Sequence, residues 1–142
     1  LPPAFEESAP ALSPDGKWLA YQSEETGRSD VYARPYPGPG ARVSVSAQGG
    51  SEPAWSRDGR ELYYRAGDSM MVATIATGAG LEVTARRALF TGAFLNGGRF
   101  REYDVSPDGQ RFYMVSGSEA PSTFIAVHHF FDRLAFDSRH RP

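Results

Sequence analysis

Ser13-Pro14-Asp15-Gly16-Lys17, running into Trp18-Leu19-Ala20-Tyr21, reads as a tight turn feeding a β-strand. Proline presets the first corner of the turn, aspartate hydrogen-bonds the backbone ahead of it, and glycine takes the positive φ that other residues resist. The same order recurs twice. Ser56-Arg57-Asp58-Gly59-Arg60 precedes Glu61-Leu62-Tyr63-Tyr64, and Ser106-Pro107-Asp108-Gly109-Gln110 precedes Arg111-Phe112-Tyr113-Met114-Val115. Arg57 stands where the other copies have proline, which a type I turn tolerates. Asp15, Asp58 and Asp108 are therefore read as turn residues, not as a catalytic or metal-binding set.

The three serines lie 43 and 50 residues apart, the size of a four-stranded propeller blade. Outward from each motif the strands follow in order. Ala11-Leu12, Trp18 to Ser23, Asp30 to Arg34 and Arg42 to Ser46 alternate in the first unit. Pro53-Ala54-Trp55 matches Pro10-Ala11-Leu12, and Leu62 to Arg65, Met70 to Ile75 and Leu81 to Leu89 complete the second unit. Glu102 to Val105, Arg111 to Ser116 and Thr123 to His128 form the third, in which no fourth strand is evident. The expectation is an all-β chain: three four-stranded antiparallel blades, at about 9–50, 51–93 and 94–128, in a single segment spanning 1–142. Residues 129–142 form an extension, with a short amphipathic helix expected around Phe130, Phe131 and Leu134.

The 142 residues suffice for one domain with a core. With 15 Lys+Arg against 17 Asp+Glu, the formal net charge of -2 argues against general nucleic-acid binding. The absence of cysteine excludes disulfides, thiol nucleophiles and thiolate metal sites. No apolar run is long enough to cross a bilayer, so no membrane insertion is expected. The chain begins Leu1-Pro2-Pro3 without Met, as a processed product would.

Ser-Pro-Asp-Gly-Lys followed by Trp-Leu-Ala-Tyr, with Asp30-Val31-Tyr32 after a polar turn, resembles the TolB-like repeat of WD40-like β-propellers. The likeness covers nearly the whole chain. Such propellers occur in the periplasmic TolB protein, in the amino-terminal domain of prolyl oligopeptidases, and downstream of some bacterial serine/threonine kinases. The tail from Phe124 to Phe131 looks like the carboxyl end of the kinase-linked group. The resemblance implies an extracytoplasmic or periplasmic setting. It does not imply one function, because such propellers serve many.

Three blades are too few for a ring, since propellers have four to eight. A half-ring would expose apolar flanks and strand edges. Two copies would make six blades, so a homodimer with twofold symmetry is expected. In it, Leu1 to Ser8 of one copy would complete the third blade of the other. The chain could otherwise be the last part of a longer propeller.

Propeller ligands commonly bind at the channel mouth, where the inner strands begin. Glu7, Ser8, Ser51, Glu52, Arg101, Glu102 and Asp104 fall there. Of these, Glu7, Ser51, Glu52, Arg101 and Glu102 are the candidate ligand-binding residues. The bland reading is a hydrated rim of charged loop ends. The favoured function is a module that binds a protein or small-molecule ligand, serving as the sensor part of a larger protein. The competing one is a calcium-dependent lactonase or esterase, with Glu52, Glu102 and Asp104 holding calcium, Glu7 as a further ligand and His128 or His129 as base. His128 and His129 are adjacent on a strand and point to opposite faces, so they do not share a metal. Trp18, Trp55, Tyr63 and Phe112 fall on the strand pattern and are read as packing between blades.

Overall fold

Turn chemistry sets the architecture. In each motif the serine hydroxyl donates to the aspartate Oδ1, at 2.6 Å for Ser13–Asp15, 2.7 Å for Ser56–Asp58 and 2.5 Å for Ser106–Asp108. The same serine oxygen accepts the N–H of the residue five places on, and the aspartate accepts that of the residue two places on. Gly16, Gly59 and Gly109 close the turns at φ 74°, 74° and 71°. These bonds hold the carboxyls below their ordinary range. Ser13 and then the Lys17 N–H act on Asp15, the Arg60 N–H and then Ser56 on Asp58, and Ser106 and then the Gln110 N–H on Asp108.

The computed structural model describes residues 5–95, 99–117 and 124–128. Their strands make three antiparallel sheets. The first comprises β1 (Glu7–Leu12), β2 (Trp18–Ser23), β3 (Asp30–Pro35) and β4 (Val43–Ser44), in that order. The second comprises β5 (Ser51–Trp55), β6 (Glu61–Ala66), β7 (Ser69–Thr77) and β8 (Leu81–Thr91). The third comprises β9 (Tyr103–Val105), β10 (Arg111–Val115) and β11 (Phe124–His128). Each sheet is a meander of consecutive strands.

Two expectations need amendment, and one falls outside what the structure describes. The third sheet has three strands among the described residues, not four, and its chain continues past His128 beyond them. The helix expected around Phe130 to Leu134 lies outside the described residues. Glu7 and Ser8, assigned to a partner's sheet, pair with Ser23 and Gln22 within their own. The fourth strand of the first sheet is also only two residues long. Asp30 Oδ1 accepts both the Ser46 hydroxyl and the Gly49 N–H at 3.0 Å, which curls the chain away from the sheet just after Ser44.

The sheets pack face to face. Ala20, Val31, Ala33 and Val45 of the first meet Leu62, Tyr64, Ala73, Ile75 and Leu81 of the second. Ala54, Tyr63, Met70 and Val72 on the other face of the second meet Tyr103, Phe112 and Met114 of the third. Tyr63 and Phe112 touch edge to face, with centroids 5.0 Å apart. Trp18 and Trp55 pack at the border of the first interface, where Trp55 Nε1 donates to the Ala11 carbonyl at 2.9 Å. Arg86 of β8 donates to the Val45 carbonyl at 2.6 Å, joining the outer strands of the same two sheets.

Leu62→Ala, which empties a fully buried position between the first two sheets, is expected to lower unfolding free energy by about 2–5 kcal/mol. Trp55→Phe, which loses one indole hydrogen bond, is expected to cost about 1 kcal/mol. Urea unfolding followed by far-UV circular dichroism checks both.

Candidate functional site

Pro10 and Pro53 stand three residues before the first two motif serines. Proline has no N–H for the ladder and sits on edge strands, as β1 and β5 are, or at bulges. β1 shifts register between Ser8 and Ala11, and β5 between Ser51 and Ala54. The residues before the prolines, Ala9 and Glu52, take φ of 50° and 55°. They are the only non-glycine residues with positive φ among the described residues. This left-handed backbone is strained for both, and at Glu52 it turns the bulge N–H out of its own sheet.

At Glu52 the bulge joins all three sheets. Its N–H donates to Gln22 Oε1 of the first sheet at 2.9 Å. Its Oε1 accepts the Glu102 N–H, just before β9, at 2.8 Å. Its carbonyl accepts the Tyr103 hydroxyl of the third sheet at 2.6 Å. Glu52 has no exposed surface, and Oε2 has no hydrogen-bond partner among the described residues. Burial pushes its carboxyl up to about 7, and the like charge of Glu102 adds to the rise; the Glu102 N–H, Arg65 and Arg101 oppose it. Arg65 is equally buried, at 1 % exposure. Its Nη2 donates to the Gly67 carbonyl at 3.2 Å, while Nε and Nη1 lack a partner among the described residues. Burial lowers its pKa from the ordinary arginine value, against the pull of Glu52.

The structure separates the remaining candidates. Ser51 is buried at the start of β5, opposite Arg65. Glu7 is exposed at the start of β1. Glu102 is half-buried and joins Glu52 through its backbone. Arg101 is exposed, 3.5 Å from Asp104 Oδ1. Asp104 is exposed on the face of β9 away from Tyr103, and its Oδ1 also accepts the Val105 N–H. Glu52, Glu102 and Asp104 therefore do not gather as a ligand set, and no three His, Asp or Glu do so among the described residues. His128 closes β11 opposite Arg111, and His129 lies outside the described residues.

Gln22 and Arg65 were not legible as site residues. Each falls nine places after a motif serine, at the end of an apolar strand, where a polar side chain passes for an exposed one. Only the packing of the next sheet buries them. The structure also forms two open grooves. One, of about 550 Å³, runs along β1 and β5 and is lined by Leu12, Trp55, Arg57, Phe100 and Arg101 among others. Its Phe100 is 80 % exposed. The other, of about 780 Å³, lies between the second and third motif turns, with Trp55, Glu61, Tyr63 and Pro107 in its walls.

Residues 2–127 match the family described as the lipoprotein LpqB beta-propeller domain. No curated protein matches the chain. Among solved structures, a putative TolB from Agrobacterium tumefaciens aligns with a TM-score of 0.63 at 17 % identity, over 92 % of this chain and 47 % of that one. The nidogen/laminin complex aligns at 0.61 with 18 % identity, over 89 % and 45 %. Oligogalacturonate lyase from Vibrio parahaemolyticus aligns at 0.60 with 14 % identity, over 81 % and 31 %. At these identities the likeness is one of fold, and the chain spans less than half the length of each of the three.

Glu52 gives stability a pH dependence of definite sign. Between its ordinary value of 4.5 and about 7 the folded chain holds a proton that the unfolded chain has released. Its contribution is therefore full below about pH 4.5 and is lost as pH rises through about 7. From this group alone, unfolding free energy is expected to fall by up to about 3 kcal/mol between pH 4.5 and pH 8. Glu52→Gln keeps an oxygen for the Glu102 N–H but does not titrate, so its profile is expected to be flatter. Urea titrations of both proteins across this range make the comparison.

Proposed function

We propose that this chain, which belongs to the lipoprotein LpqB β-propeller domain family and carries the TolB-like repeat, is a binding module that takes its ligand on the inner-strand side of its sheets. The observation that carries the reading is the groove along β1 and β5, where Leu12 and Phe100 offer apolar surface beside Arg57 and Arg101. Apolar anchors flanked by guanidinium groups suit an extended protein segment with aromatic and acidic side chains. The nidogen neighbour is a complex with laminin, and by analogy a protein partner is the first class to test. Arg101 lines the groove and orients that ligand, and Glu7, Ser51, Glu52 and Glu102 are the further binding residues of this reading. An extracytoplasmic location goes with this reading, since the family is described from a lipoprotein.

In this reading the three sheets are three blades, about 9–50, 51–93 and 94–128, within one propeller segment spanning 1–142. They make half of a six-bladed ring that a second copy closes. The assembly is the sensing part of a larger protein.

Trp55 lines the groove and reports its occupancy. Titration with peptides of alternating aromatic and acidic residues is expected to change Trp55 fluorescence in Trp18→Phe protein. Phe100→Ser with Arg101→Ala is expected to weaken binding about 10-fold or more. Peptide binding that ignores both substitutions sinks the groove as the site. Chelator-sensitive hydrolysis of lactones or esters would instead favour the calcium-dependent hydrolase.

A further inference from the structure

The repeat register says which positions each sheet presents to its neighbours. Counting from the motif serine, position +7 faces the following sheet. Ala20 and Tyr63 occupy it in the first two sheets, at 0 % and 3 % exposure. Positions +6 and +8 face the preceding sheet. Leu62 and Tyr64 occupy them in the second, Phe112 and Met114 in the third, none above 2 %. Each sheet thus inserts its +7 side chain beside the next sheet's +6 and +8 pair.

The two end faces differ from these interfaces and from each other. Tyr113 holds +7 in the third sheet and is 41 % exposed. Asp104 lies directly opposite it, and Phe124, paired with Val115 in the next row of that face, is 80 % exposed. On the outward face of the first sheet, Leu19 and Tyr21 hold +6 and +8; Leu19 is half-buried, and Tyr21 and Tyr32 are covered, at 5 % and 7 % exposure, by arginine side chains that a docking sheet would displace. Arg34 stands over the Tyr21 ring at 5.3 Å and Arg42 over the Tyr32 ring at 4.2 Å. One end face is apolar with a carboxylate, the other apolar beneath guanidinium groups.

A backbone signal follows the same step. At position −4, the Glu52 N–H reaches Gln22 in the preceding sheet, and the Glu102 N–H reaches Glu52 in the preceding sheet. The first sheet's −4 residue is Ala9, in the same left-handed bulge as Glu52. At this step the third sheet offers the Glu102 side chain as its one titratable acceptor, since Val115 at +9 has none.

Resting on the half-ring reading above, we propose that a second copy of this chain docks its first sheet on the third sheet. Its Leu19 and Tyr21 straddle Tyr113, its Arg34 faces Asp104, and its Ala9 N–H is donated to Glu102. Both seams of the pair are then identical, head to tail, and each continues the two interfaces already inside the chain.

Light scattering on the full chain tests the assembly, and variants test the seam. Wild type is expected at twice 15.5 kDa. Tyr113→Arg and Leu19→Arg are each expected to be monomeric, with the dimer constant weakened about 100-fold or more. Mixing the two is expected to restore a dimer, because the pair retains one unmutated seam. Glu102→Leu is expected to weaken association about 10-fold, and Glu102→Gln, whose amide oxygen still accepts the N–H, less than about threefold. A monomeric wild type overturns the ring and the seam together. A dimeric wild type that Leu19→Arg leaves intact, or monomeric variants that mixing does not rescue, overturns the seam alone.

Discussion

A small antiparallel sheet with apolar side chains on both faces is not stable by itself; it needs a neighbour on each side. The structure depends on this constraint. Leu62 and Tyr64 on one face of the second sheet, and Tyr63 and Val72 on the other, are all buried, which a single sheet cannot achieve. At about 25 cal/mol per Å² of apolar surface, the faces set the stacking and the turns only space it. The stack also has two ends. The end faces, with Leu12 and Phe124 at 50 % and 80 % exposure, are what make assembly a physical question for this chain.

The second feature is polar. Stacking buries the starts of the inner strands, where backbone groups must still be satisfied. β1 and β5 lose their regular ladder around Pro10 and Pro53, and at the second of these bulges the Glu52 N–H is turned to Gln22 of the neighbouring sheet. Glu52 in turn receives the Glu102 N–H of the third unit. The arrangement costs backbone strain at Ala9 and Glu52, and it buries the Glu52 carboxyl and the Arg65 guanidinium. Between them, these groups tie the seam chemically as well as by packing.

Much of this was legible residue by residue. Ser-Pro-Asp-Gly is self-explanatory because its hydrogen bonds are local: every partner lies within five residues. Alternation gave the strands for the same reason. The mouth residues were legible only as a list. Glu52, Glu102 and Asp104 do not converge, because Glu102 meets Glu52 through its backbone N–H and Asp104 lies on the face of β9 away from Tyr103. Asp104 turns outward and cannot join the other two. Gln22 and Arg65 gave no signal, since a polar residue at a strand end is ordinary until another sheet covers it.

The sequence by itself determined the turns, the strand order and the repeat, and with them the propeller-like class, because these rest on bonds and periodicities spanning a few residues. Tertiary structure alone decided which polar groups are buried, how far Glu52 departs from an ordinary carboxyl, and that Tyr113 is exposed where Tyr63 is not. Those properties belong to pairs of residues 30 to 50 positions apart, as the bonds from Glu52 to Gln22 and from Glu102 to Glu52 are. Burial is a property of what lies opposite a face, and no local pattern encodes it.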